Sequence, residues 1–83
     1  MRVFQEMSPY GAGSLFTSAE KAYKAVRKII EDDIADYNAC GTVDRVRSLE
    51  KELETFNERY EDYLDGDAAF GTSDYWVKEV EVY

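Results

Sequence analysis

Carboxylates and tyrosines are the side chains of this sequence that are numerous enough to suggest chemistry. The chain has eighteen acidic and ten basic residues, a net charge of −8, seven tyrosines and no histidine. Histidine is the side chain most often used as a general base and as a metal ligand, so its absence excludes most chemistry of both kinds. The negative charge disfavours direct binding to nucleic acid or to an anionic membrane. We therefore expect a protein without enzymatic activity, cofactor or metal, whose partner is another protein.

One set of carboxylates recurs at helical spacing in the second half of the chain. This acidic row consists of Glu50, Glu54, Glu58, Glu61 and Asp65. On a helix of 3.6 residues per turn the row occupies one face, about 130° from the apolar residues, over roughly 22 Å. Two interpretations stay open: a solvated face that keeps a small protein soluble, or a docking surface for a basic nucleic-acid-binding protein or nuclease.

A docking surface of this kind would imitate the charge of nucleic acid only in part. The row carries one charge per about 6 Å, whereas duplex DNA carries one per about 1.7 Å. A closer imitation of DNA would need further acids, and Asp32 and Asp36 are the candidates on the preceding helix.

Two further patterns that could indicate a metal site or a catalytic site are incomplete. Asp65 and Asp67 flank a glycine as in a calcium loop, but Ala69 stands where a third ligand belongs. Cys40 is the single cysteine, and it has no histidine to activate it. The sequence therefore predicts no catalytic, cofactor-binding or metal-binding residue.

Aromatic residues outside the helices are candidates for partner contact, because tyrosine buries a large area at an interface while its hydroxyl stays hydrogen-bonded to water. These residues lie in predicted loops or at strand ends: Tyr10, Phe70, Tyr75 and Tyr83. The tyrosines at helical apolar positions are expected to pack in the core instead.

Two helices and three strands are predicted to position these side chains. Residues 2–7 and 14–16 are expected to form strands around a turn at 8–13, which contains the only proline. Thr17, with Glu20 three residues later, predicts a helix start by a capping box, and the helix should run to about Asn38. Thr42 can cap a second helix that ends near Gly66. Both helices begin with basic residues and end with acidic ones. Antiparallel packing is therefore favoured, because it places the basic end of each helix beside the acidic end of the other.

The last strand is expected at residues 75–83, after a loop at 67–74. Trp76, Val80 and Val82 should face the core, and the alternate face, which includes Tyr75 and Val77, should meet water. The predicted fold is α+β with the order ββααβ, a three-stranded antiparallel sheet packed against an antiparallel helical hairpin. At 83 residues we expect a single domain, either a monomer or a homodimer. A lone cysteine and the lack of a long apolar segment favour a cytoplasmic location.

The layout resembles small acidic bacteriophage accessory proteins. The likeness lies in the hairpin that ends in Phe16-Thr17-Ser18-Ala19-Glu20-Lys21-Ala22, and in the closing strand Tyr75-Trp76-Val77-Lys78-Glu79-Val80-Glu81-Val82. Several such proteins are anti-CRISPR or anti-restriction inhibitors, which block host nucleases by occupying nucleic-acid or domain-interface surfaces. The resemblance implies a phage-encoded inhibitor that acts in the host cytoplasm. A small adaptor or assembly protein is the alternative.

Overall fold

A four-stranded antiparallel sheet covered on one face by two helices forms the architecture of the computed structural model, which describes residues 2–63 and 67–81. The elements are β1 (Arg2–Ser8), β2 (Gly11–Phe16), α1 (Ala19–Ala39), α2 (Val43–Glu61), β3 (Ala69–Gly71) and β4 (Trp76–Glu81). The strand order across the sheet is β2-β1-β4-β3. The α+β class is confirmed. The prediction of three strands missed β3, which lies within the expected loop at 67–74.

The β1–β2 hairpin is tighter than the sequence indicated. Its turn is reduced to Pro9 and Tyr10, so β2 begins at Gly11, whose φ of 110° favours glycine. The register shifts between Gln5 and Met7, where the backbone N–H of Ser14 donates to the Glu6 carboxylate at 3.1 Å. The hairpin therefore contains an irregularity that uses a side chain as a backbone partner.

The start of α1 is set one residue later than predicted. Ser18, and not Thr17, is the N-cap, because its hydroxyl accepts a hydrogen bond from the Lys21 N–H at 3.2 Å. Both residues fit a capping pattern, and the structure uses the one whose side chain reaches the N3 amide. At α2 the N-cap is Thr42, as predicted, without a side-chain hydrogen bond.

Aromatic contacts show that the two helices run antiparallel. Tyr23, near the start of α1, stacks on Tyr60, near the end of α2, with ring centroids 3.9 Å apart. At the opposite end the Arg45 guanidinium lies over the Tyr37 ring at 5.5 Å. The Tyr23 hydroxyl also donates to the Asn57 side chain at 2.6 Å.

Charge pairing between the helices was part of the prediction, and here the structure differs. Within the described residues the helical ion pairs all lie inside α1: Lys24–Glu20 at 3.1 Å, Arg27–Glu31 at 3.8 Å and Lys28–Asp32 at 3.3 Å. A side chain four residues away on the same helix is closer than one on the neighbouring helix. Stacked rings, and not interhelical ion pairs, therefore join α1 to α2.

The face of β4 that was expected to meet water points into the core. Tyr75, just before β4, is 2% exposed and Val77 is fully buried, whereas Trp76 is only partly buried. Alternation along the strand separates two faces correctly, but both faces carry apolar residues. Contact with the helices decides that the Tyr75 face turns inward. Val82 and Tyr83 lie outside the described residues, as does the predicted helix stop at Gly66.

Gly71 in β3 should be sensitive to substitution. Its φ is 125°, and an added Cβ would lie 2.6 Å from the Tyr75 carbonyl oxygen. We expect Gly71→Ala to lower the free energy of unfolding by about 2 to 4 kcal/mol, because positive φ and a backbone overlap both oppose a side chain. Gly41→Ala is the matched control, since its φ is 73° and nothing lies within 4 Å of the added Cβ. The control should lower the free energy of unfolding by about 1 kcal/mol, and urea denaturation measures both variants. Equal losses would contradict the steric account.

Candidate functional site

The acidic row lies on the solvent side of α2. Glu50, Glu54, Glu58 and Glu61 are all exposed. The opposite side of the helix carries Leu49 and Phe56, which are buried. Within residues 2–63 and 67–81, none of the row's carboxylates forms a salt bridge. Asp65, the fifth residue of the row, lies outside the described residues. The described part of the row is therefore a line of like charges without counter-ions.

Asp32 and Asp36 do not extend this line, contrary to the expectation that they could complete it. Helical geometry puts Asp32 about 180° and Asp36 about 140° around α1 from Tyr23. Tyr23 packs against α2, as its contacts with Tyr60 and Asn57 show. Both acids therefore project from the side of α1 that faces away from α2. Both are exposed, and Asp32 pairs with Lys28.

Two of the aromatic candidates for partner contact are buried. Phe70 is 8% exposed and belongs to the core cluster with Phe56, and Tyr75 is 2% exposed in the same cluster. The loop that was expected to display them contains β3, which pairs with β4 and lies under α2. Phe70 and Tyr75 are therefore core residues and offer no surface to a partner. Tyr10, at 73% exposure, remains available.

Asp33 is a polar residue that the sequence analysis did not single out. It is 8% exposed and accepts hydrogen bonds from two phenols, Tyr10 at 2.9 Å and Tyr75 at 2.7 Å. The cluster joins α1 to the β1–β2 turn and to the start of β4. A signal was present in the sequence, because Val26, Ile30, Asp33 and Tyr37 follow at spacings of 4, 3 and 4. An acid at an apolar position of this kind predicts a buried carboxylate with its own donors.

These hydrogen bonds change the acidity of the two phenols. Burial, followed by the hydrogen bond to Asp33, raises the pKa of Tyr75 well above its usual range. The hydrogen bond to the same carboxylate raises the pKa of Tyr10. A phenolate beside Asp33 would place two negative charges together, so the fold favours the neutral phenol.

Alkaline pH should therefore destabilise the fold through Tyr75. The pKa of this phenol is higher in the folded state than in the unfolded state, where it is about 10. The contribution of the neutral phenol to the free energy of unfolding is therefore complete below pH ~10 and is lost as the pH rises above that value. We expect the free energy of unfolding to fall above pH ~10 by up to about 1.4 kcal/mol per pH unit from this one phenol. Tyr75→Phe should lower stability at neutral pH but flatten this slope. Urea denaturation between neutral pH and pH ~11 measures both, and an unchanged slope in Tyr75→Phe would count against the assignment.

The face of the sheet away from the helices carries mostly apolar side chains and, in the described part of the strands, no acids. In the described residues of β1 and β4 this outer sheet face carries Val3, Gln5, Met7, Trp76, Lys78 and Val80. The pairing of Gln5 with Leu15 adds Leu15 of β2, which is 56% exposed. None of its apolar members packs against the core cluster. Within residues 2–63 and 67–81, helices cover one face of the sheet and no element covers the other.

A shallow groove lies between α2 and the loop after β3. Its volume is about 320 Å³, and its lining includes Lys51, Glu52 and Thr72. The Thr72 hydroxyl donates to Glu52 at 2.6 Å, which ties the loop to the helix. Across the described chain, no group of three or more cysteine or acidic side chains is arranged to hold a metal ion.

Comparison with protein families, with curated proteins and with solved structures finds no match. Neither of the two helices in the described ranges is long and apolar enough to cross a bilayer.

Proposed function

We propose that this chain is a non-enzymatic, protein-binding inhibitor that covers a basic surface of a nucleic-acid-binding protein with the acidic row. The target that fits the resemblance to small phage proteins is a host defence nuclease, blocked in the manner of an anti-CRISPR or anti-restriction protein. The inhibitor would then be phage-encoded and act in the host cytoplasm. The observation that supports this most directly is the line of exposed carboxylates on α2 without counter-ions in the described chain.

Uncompensated like charges make that line a good surface for a cationic partner. Carboxylates four residues apart on a helix repel each other by a few tenths of a kcal/mol. A lysine- or arginine-rich surface removes this repulsion and accelerates association by electrostatic steering. From Glu50 to Glu61 the row extends over about 16 Å, which is sufficient to cover several phosphate-binding positions. Tyr10 is also exposed, but it lies in the β1–β2 turn, at the edge of the sheet away from α2, so it does not belong to this contact.

Affinity capture from a bacterial lysate tests the proposal. The immobilised wild-type chain should retain a basic nucleic-acid-binding protein, identified by mass spectrometry. A second column carries a variant in which Glu50, Glu54, Glu58 and Glu61 are glutamine, and it should not retain that protein. The captured protein should lose nuclease activity when the wild-type chain is added. Retention by both columns, or full activity in the complex, would contradict the proposal.

An adaptor or assembly protein is the second candidate, and the outer sheet face favours it. This face carries apolar pairs on both sides of the Gln5–Lys78 pair, and a large exposed apolar patch is typical of a protein-protein contact surface. Salt separates the two candidates: an electrostatic complex weakens by orders of magnitude between low and high ionic strength, whereas an apolar contact does not. A captured partner whose affinity is independent of salt would favour the adaptor.

A further inference from the structure

The edge strand β2 has one feature that opposes edge pairing, the irregularity opposite Glu6, but it has no charged residue, no proline and an exposed surface. β2 hydrogen-bonds to β1 on one side and, among the described residues, has no strand on the other. Its six residues, Gly11–Phe16, include no charged residue and no proline, and its first five residues are exposed. Natural edge strands are usually short, charged, kinked or covered, because an open edge pairs with other strands. β3, the other edge, has three residues and lies under α2.

The distribution of charge makes this edge the place where two copies of an acidic chain meet with least repulsion. α2 packs on β3, at the far edge of the sheet, while α1 covers β1 and its neighbours. The acidic row is therefore at the opposite end of the molecule from β2. Two copies joined at β2 would keep their rows at the two outer ends.

The side of α1 that faces away from α2 has a self-complementary charge pattern. This α1 flank consists of Lys21, Ala25, Lys28, Asp32 and Asp36, at spacings of 4, 3, 4 and 4 residues. It is basic in the first half of the helix and acidic in the second. That order opposes the helix dipole, which favours acids first and cations last. Lys28 and Asp32 of this flank pair with each other at 3.3 Å, and within the described residues no ion pair between α1 and α2 offsets the unfavourable order.

We propose that the chain forms a homodimer by antiparallel pairing of β2 with β2 of a second copy, which joins two sheets into one of eight strands. A two-fold axis perpendicular to the sheet makes the two β2 strands antiparallel and keeps both α1 helices on the same face. The two α1 helices are then also antiparallel. The basic half of each α1 flank faces the acidic half of the other, which compensates the unfavourable charge order. The dimer presents two acidic rows, so it is bivalent toward a partner that has two basic sites.

The size of the contact predicts moderate affinity. A six-residue strand is about 20 Å long, and the helix layer lies about 10 Å above the sheet. The contact then buries on the order of 400 Å² per copy, which is at the low end for specific association. We expect the dimer to dissociate in the micromolar range.

Sedimentation velocity over about 1 to 500 μM protein tests the proposal without any target protein. The wild-type chain should shift from monomer toward twice the monomer mass. Ala12→Lys with Ser14→Lys should stay monomeric, because four lysines are then brought together at the junction and repel each other. These exposed positions can be changed without disturbing the core, and circular dichroism checks the fold. A wild-type chain that is monomeric throughout, or a dimer that tolerates both lysines, would overturn the proposal.

Charge reversal on the α1 flank distinguishes β2 pairing from a dimer formed through the outer sheet face. Lys21→Glu with Lys28→Glu should weaken the dimer at least tenfold. Adding Asp32→Lys and Asp36→Lys restores the net charge and reverses the pattern, so it should restore the dimer. Lys51→Glu with Arg59→Glu on α2 changes the net charge equally and should leave the dimer intact. Failure of the fourfold reversal to restore association would contradict the arrangement.

Discussion

Asp33→Ala should lower the free energy of unfolding by about 2 to 4 kcal/mol, because it removes the acceptor of two phenol hydrogen bonds. Tyr75 is buried, so its hydroxyl would be left without a partner in the core. Glu31→Ala is the matched control, since Glu31 is exposed on the same helix and forms a 3.8 Å ion pair with Arg27. The control should change stability by about 0.5 kcal/mol or less. Urea denaturation of both variants gives the comparison.

A double-mutant cycle separates the Asp33–Tyr75 hydrogen bond from the loss of packing. Tyr75→Phe keeps the ring and removes the donor. The coupling energy between Asp33→Ala and Tyr75→Phe should be about 1.5 to 3 kcal/mol, as for hydrogen bonds to charged groups. A coupling near zero, or an Asp33 variant as stable as the Glu31 control, would show that the cluster contributes nothing specific.

Neutralising the acidic row should reduce the affinity for the captured target by about 1,000-fold at low salt, because four charge pairs of about 1 kcal/mol each are lost. The variant replaces Glu50, Glu54, Glu58 and Glu61 by glutamine, which changes the net charge from −8 to −4. Glutamine is similar in size to glutamate and forms helix equally well, so the fold should persist. Affinity can be measured by calorimetry at two salt concentrations.

A second variant with the same net charge controls for long-range electrostatics. It neutralises four exposed acids outside the row, namely Glu20, Asp44, Asp74 and Glu81. Its affinity should fall only a few-fold, because these charges steer association without contacting the partner. Equal losses in the two variants would indicate a nonspecific charge effect and remove the row's role as a binding face.

The helix pair and the acidic row could be predicted from the sequence because both follow from a period of 3.6 residues. Leu49 and Phe56 are buried on the apolar side of α2, and Glu54 and Glu58 are exposed, as their spacing indicates. The direction of the helices also followed, although aromatic stacking and not ion pairing holds them together.

The sheet was less predictable because a strand pattern separates two faces without saying which one is covered. Trp76 and Val77 lie on opposite faces, and the larger apolar residue is on the outer one. Tyr75 turns inward because Asp33, on α1, accepts its hydroxyl. β3 escaped prediction because three residues that include Gly71 are too few to show alternation.

The direction in which each acidic side chain of α1 points could not be predicted from the sequence, because it depends on tertiary contacts. Asp32, Asp33 and Asp36 look alike in the sequence, yet only Asp33 is buried. Its place in the apolar series from Val26 to Tyr37 was a usable signal. The side of α1 on which Asp32 and Asp36 project is set by the contact of Tyr23 with α2, which the sequence does not show.

The most direct test of the acidic row as a binding face is a map of the contact surface by nuclear magnetic resonance. The isotope-labelled wild-type chain is titrated with the captured target, and the amide signals of α2 are compared with those of β1 and β4. We predict that shifts and broadening concentrate at residues 50–61, on the side that carries the four glutamates. Changes confined to the outer sheet face, with the signals of α2 unaffected, would contradict the account.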